Sequence, residues 1–211
     1  MGMNIGYLTS GRGTESDEVL TPCYAVKPLI KYIRRRGYKR ILCPFDLDSS
    51  QYVRVFQREG FDVIYSHLQT KDFFTYTKED VSNVDIIISN PPFSIKDKVL
   101  ERVYELGKPF ALLLPQNSLQ GKKRTGLFIK YGLEYLGFDS RICFYTRNEL
   151  DAIKMGNHFA SGYFCKGVLE EKLVFETIVA VQEPYHESHG ISYTNTSKEI
   201  PLEENSLNPG E

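Results

Sequence analysis

No stretch of this chain approaches the roughly 18 consecutive apolar residues of a membrane-spanning helix. Met1 to Arg12 is short, Gly-rich and only mildly apolar, unlike a secretory leader. Both absences point to a chain that stays in the cytosol and away from membranes. Net charge is also nearly absent, at −1. That excludes a uniformly basic or acidic protein but leaves room for a local basic patch. The four cysteines, Cys23, Cys43, Cys143 and Cys165, lie far apart, without close metal-type spacing. Neither a disulfide framework nor a metal site is expected. His186 and His189, two apart in a polar stretch, are too few for a closed coordination sphere. There is no internal repeat. What remains is 211 residues, 41% hydrophobic and 25% charged, which suits one globular domain with a sizeable core.

Along the chain, residues 1–20 are polar and Gly-rich and are expected to form a flexible arm. Residues 21–183 carry the patterned sequence. Residues 184–211 are polar and poor in hydrophobic side chains, which predicts a disordered tail. Thr21-Pro22 reads as a helix start, a hydroxyl cap followed by proline. Ala25, Val26, Leu29, Ile30 and Ile33 repeat at helical spacing, with Pro28 forcing a kink or a later start. Strands are expected at Arg40 to Cys43, Phe61 to Tyr65, Val84 to Ile88 and Phe110 to Leu114. Helices are expected at Ser50 to Glu59 and Ile95 to Leu106, stopped by Gly60 and Gly107. Such alternation predicts crossover units and a mainly parallel sheet. Beyond Pro115 the pattern changes. Lys122-Lys123-Arg124 falls in a polar loop, and Arg141 to Tyr145, His158 to Cys165 and Leu173 to Ala180 read as closely spaced strands. They predict an antiparallel edge on the C-terminal side of an α/β sheet.

In an open α/β sheet, ligands bind beyond the carboxyl ends of the strands, where strand order reverses. Asn90-Pro91-Pro92-Phe93 stands there, directly after the strand ending at Ser89. Asn-Pro alone is a common turn starter. Two prolines flanked by a polar and an aromatic residue suit a narrower task. Asn90 offers a carbonyl acceptor. Pro92 lacks an N–H and restricts Pro91 to an extended conformation, which fixes the Pro91 carbonyl. Two acceptors held together match the two hydrogens of an exocyclic amino group, and Phe93 can stack on the ring that bears it.

This segment resembles the catalytic motif of the S-adenosylmethionine-dependent amino-methyltransferases, which methylate the exocyclic nitrogen of adenine and related amines. Within that family it looks like the phage-type DNA adenine methyltransferases, some of which carry a Pro-Phe-Asp loop as at Pro44-Phe45-Asp46. The resemblance covers about residues 21 to 180 and implies a Rossmann-like methyltransferase fold with S-adenosylmethionine (SAM) as cofactor. It assigns Asn90, Pro91, Pro92 and Phe93 to catalysis. It assigns Pro44, Phe45 and Asp46 to the cofactor loop after the first strand of the sheet. Asp72 and Phe73 would then contact the adenine end of SAM, and Thr21 and Pro22 the methionine end. The loop carries Leu47-Asp48-Ser49-Ser50 where the family usually has glycines, and Ser66-His67 occupy the place of the ribose-binding acid.

Phosphate contacts are expected from Lys122, Lys123 and Arg124, and a second basic run extends from Lys27 to Arg40. The chain has little room for a target-recognition domain. The only stretches for one are Asn117 to Tyr131 and Asn148 to Asn157, so specificity is expected to be slight or to come from a homodimer or a separate partner. DNA adenine is the favoured target. RNA adenine, a protein glutamine amide, and a degenerate methyltransferase-fold binding subunit are the alternatives.

Overall fold

The computed structural model describes residues 19–146 and 159–179. Residues 1–18 of the arm expected at 1–20, the segment Asn148 to Asn157 and the polar tail from 184 lie outside the described residues.

Nine strands and five α-helices follow one another along the described chain. A short strand β1 (Val19–Leu20) precedes helices α1 (Cys23–Val26) and α2 (Pro28–Arg35). The two helices resolve the proline conflict. Pro28 starts a new helix at its first position, where its missing N–H costs nothing. Thr21 is not a cap. Pro22 takes the N-cap position in extended conformation, without a side-chain hydrogen bond. Then come β2 (Arg40–Cys43), α3 (Gln51–Arg58), β3 (Asp62–Tyr65), β4 (Ile86–Ser89), α4 (Lys96–Leu106) and β5 (Phe110–Pro115). Ser50 caps α3 by accepting from the Tyr52 N–H, and Gly107 ends α4 in the left-handed conformation that glycine tolerates best.

The C-terminal part departs more from expectation. Lys122, Lys123 and Arg124 open a helix, α5 (Lys122–Tyr131), rather than a loop. A strand β6 (Glu134–Phe138) follows at a place where none was expected. Residues 141–144 are irregular, and only Tyr145–Thr146 form strand β7. Strands β8 (Ser161–Lys166) and β9 (Leu173–Glu176) complete the set. Val19 and Leu20, expected in the arm, pair antiparallel with β7 in a small two-stranded sheet.

The main sheet has seven strands in the order β3-β2-β4-β5-β8-β6-β9. Pairings among β3, β2, β4 and β5 are parallel, as is β6 with β9. Antiparallel pairing enters on the C-terminal side through β8, which runs against both β5 and β6. The architecture is thus mixed α/β, mainly parallel and Rossmann-like. Strand β2 pairs β3 on one side and β4 on the other, so the chain reverses direction across the sheet between β2 and β4. That is the switch point, and Cys43 and Ser89 are the last residues of the strands that flank it.

Both faces of the central strands are covered. Ile41, Ile86 and Ile88 pack toward Leu29, Ile33, Val53 and Phe56 of the first helices. Leu42 and Ile87 point the other way, toward Val99, Leu100 and Val103 of α4. This alternation is the period of two expected of a strand, and burial on both faces explains the continuous apolar runs. Each fully buried Ile or Leu contributes about 1.5–3 kcal/mol relative to exposure. Among the described residues, no helix is long and apolar enough to cross a membrane.

Candidate active site

Strand β4 cannot continue past Ser89 because two prolines follow within three residues. Pro92 is extended and its carbonyl accepts from the Ile95 N–H at 3.2 Å, which closes a one-turn helix over Phe93–Ile95. This turn leads into α4. Asn90 therefore sits at the carboxyl end of a buried strand, at the switch point. Its Nδ2 donates to the Val19 carbonyl at 3.2 Å. Its Oδ1 is buried and has no hydrogen-bond partner among the described residues. A buried acceptor left unmatched costs about 1–3 kcal/mol. The bond to Val19 fixes the amide so that the acceptor end, not the donor end, is left unmatched.

Phe93 stands beside two rings that sequence reading missed. Its centroid lies 5.5 Å from Phe159 and 6.4 Å from Phe144, both edge-to-face. Such contacts hold the plane of an aromatic ring. Phe144 and Phe159 lie in sequence far from Phe93, and no local pattern ties them to it.

The loop after β2 is held differently. Asp46 is 8% exposed, and its carboxylate accepts from the Ser50 hydroxyl at 2.5 Å and from the Ser89 hydroxyl at 2.5 Å. Its N–H donates to the Ser66 carbonyl at 2.9 Å. Burial pushes the Asp46 carboxyl up to about 6, against the opposing pull of the two serines and His67. Asp46 was expected to face the cofactor; both of its oxygens instead serve internal partners. It braces the Pro44–Ser50 segment against Ser89, the residue immediately before Asn90. Ser89 was not singled out from sequence. The one available signal was a small hydroxyl residue ending an otherwise apolar strand.

Asp72 caps a second one-turn helix, Phe73–Thr75, by accepting from the Phe74 N–H at 3.0 Å. Phe73 was expected to lie on a cofactor ring, but it is 2% exposed and packs 5.0 Å from Phe45. The ring that reaches solvent there is Phe74. Leu47, Tyr65 and Leu68, at or just after the carboxyl ends of β2 and β3, are exposed as well. Phe45 is half-buried and Pro44 buried, as are Thr21 and Pro22.

The two basic runs fare unequally. Lys31 pairs with Glu176, Arg34 with Glu59, Arg35 with Glu170 and Arg40 with Asp62. Arg36 donates to the Val168 and Leu169 carbonyls. Most of this run is thus engaged within the chain, and the end of α2 lies at the amino end of β2, opposite the switch point. In the second run, Arg124 pairs with Asp97 at 2.5 Å and donates to the Ser118 carbonyl. Lys122 and Lys123 are exposed, in a first turn with no acidic residue. Among the described residues no group of three metal-ligating side chains is found, and His186 and His189 lie outside them.

No family model matches this sequence, and no curated protein does. Among solved structures, the fold is similar to that of a modification subunit assigned to a type I restriction enzyme from Vibrio vulnificus. The TM-score is 0.49 and the identity 11%, over 80% of this chain and 48% of the other. This chain thus spans about half the length of that subunit. A protein from Agrobacterium tumefaciens assigned as an O-methyltransferase aligns at a TM-score of 0.35 and 12% identity, over 73% of this chain and 85% of that one.

Proposed function

We propose that this protein is a SAM-dependent methyltransferase acting on the exocyclic amino group of adenine in DNA. The observation that carries the reading is Asn90: a buried acceptor without a partner, its donor end tied to Val19, at the switch point and one residue before Pro91.

The residues beyond the carboxyl ends of β2 and β4 fit SAM. Exposed Leu47, Leu68 and Phe74 with half-buried Phe45 suit its flat adenine end, next to Asp72. Thr21 and Pro22 close the methionine end, and Pro44 lines the loop between. Asp46 and Phe73 support this wall from beneath. When bound, SAM supplies an electrophilic methyl group on a positively charged sulfur.

The chain's own residues do the rest. Asn90 Oδ1 and the Pro91 carbonyl accept the two amine hydrogens, which orients the nitrogen lone pair. Phe93 stacks on the base, and Phe144 and Phe159 hold its ring in place. The gain comes from positioning and fixed dipoles. No strong base is needed beforehand, because the amine proton becomes acidic only after the nitrogen has gained the methyl group. A base in duplex DNA must leave the stack first, at a cost of a few kcal/mol that the Phe93 contact offsets in part. Lys122 and Lys123 contact phosphate, and a second subunit or a partner supplies sequence specificity.

The test is transfer of labelled methyl from SAM to duplex DNA, single-stranded DNA and transfer RNA, followed by nucleoside analysis. Label in methyladenine from DNA is expected. Label only in RNA or in protein would move the substrate to those classes. Absence of both label and SAM binding would make the fold a binding subunit.

A further inference from the structure

A cavity of about 180 Å³ opens at the carboxyl end of β6, lined in part by Tyr135, Phe138, Asp139, Arg141, Ser161 and Phe175. Pockets that bury a drug-sized ligand run to about 300–1,000 Å³. This one is too small for SAM and suits a single flat ring system. Its rim carries one acid, Asp139, and one base, Arg141, so it does not select for an anion.

Two features in it are unexplained by the fold. Ser161 is 6% exposed and its hydroxyl has no hydrogen-bond partner among the described residues. Phe175, on the edge strand β9, is 64% exposed. The Cδ1–Cε1 edge of its ring lies against Gly137, so closely that a Cβ there would stand 2.6 Å from Phe175 Cε1. Gly137 thus lets an aromatic ring approach the backbone while most of its surface stays exposed. A flat platform beside an unmatched hydroxyl is the chemistry that receives a nucleobase, by stacking and one edge contact.

Position agrees. Ser161 is paired with Pro115, at the carboxyl end of β5, and β5 is the neighbour of β4. The cavity therefore opens on the same edge of the sheet as Asn90. Ser161 stands two strand spacings from β4 and Phe175 four, about 10 and 19 Å before any offset along the strands. Two or three nucleotides of an unstacked strand cover that distance.

We propose that this cavity is a second base-binding subsite, which receives an unpaired base flanking the target adenine in the same strand. The inference rests on the proposed function. It makes the C-terminal strands, rather than an added domain, a source of sequence preference.

The experiment measures kcat/KM for methyl transfer to single-stranded oligonucleotides with one adenine, with each flanking position in turn made abasic. The wild type is expected to lose about tenfold or more at one position. Phe175→Ala, an exposed substitution that leaves the core intact, is expected to lose that penalty while still methylating the abasic substrate at the wild-type rate. Ser161→Ala is expected to keep the penalty but narrow the differences among the four bases at that position. Transfer with no penalty at any flanking position, or a full penalty retained in Phe175→Ala, overturns the subsite and leaves the proposed function standing. No transfer to any polymer overturns both.

Discussion

The loops that leave β2 and β4 begin at the same edge of the sheet, on neighbouring parallel strands, yet they use their polar atoms in opposite ways. In the Pro44–Ser50 loop, Asp46 gives both oxygens to serines of the chain. In the Asn90–Phe93 loop, one end of the amide is tied and the other is left without a partner. A satisfied buried carboxylate holds a shape. An unsatisfied buried acceptor is retained at a cost, and at a switch point that cost is best explained by a ligand. The first loop is thus the frame for the second, and Ser89 is where they meet.

The largest expected effect removes the unmatched acceptor. Asn90→Ala should lower methyl transfer by about 10²–10³-fold, the range seen when one fixed dipole is removed from a transition state. Thermal unfolding should shift little, since the substitution also removes an unsatisfied group. An equal loss of stability and activity would make Asn90 structural.

Next is the frame. The Asp46 carboxyl is raised from 3.8 to about 6 by burial. The folded state therefore holds this proton more tightly than the unfolded state does. The group's contribution is most favourable below about pH 4, and it is lost as pH rises through about 6, a difference of about 3 kcal/mol. Asp46→Asn should flatten the pH dependence of the urea midpoint between pH 4 and 6. An unchanged slope would mean that Asp46 is not buried as described.

Smaller still is the effect at Phe93. Phe93→Leu should raise KM for the polymer about tenfold, with a smaller change in kcat, by removing one stacking surface. A change confined to SAM affinity would place this ring at the cofactor instead.

The smallest concerns the basic runs. Replacing Lys122 and Lys123 by Ala should reduce the slope of log affinity against log salt by about 1.4–1.8, two phosphates' worth. Arg34→Ala and Arg35→Ala should leave it unchanged, because these side chains already pair with Glu59 and Glu170. Equal effects from both runs would erase the distinction between them.

The parallel half of the sheet was legible because Ile86, Ile87 and Ile88 are buried on both faces, and because Gly107 closes α4 where periodicity stops. The C-terminal half was less so. No residue of α5 is buried, so its sequence lacks the apolar period that marks a helix. Gly137 and Glu134 interrupt the apolar run of β6. Glu134 serves three backbone N–H groups, those of Gly167, Val168 and Leu169, a purpose visible only in three dimensions. At the site, Asn90 to Phe93 could be picked out because the segment is contiguous. The bracing of Asp46 could not, because its partner Ser89 lies 43 residues away. Phe144 and Phe159 stayed hidden for the same reason.

The most direct test of the account is the rate of labelled methyl transfer to adenine in DNA by wild type and by Asn90→Ala, each at saturating SAM. The account predicts label in methyladenine from the wild type and a loss of at least about a hundredfold in the variant, with SAM binding retained. Label at the same rate in Asn90→Ala, or none in adenine from the wild type, would contradict it.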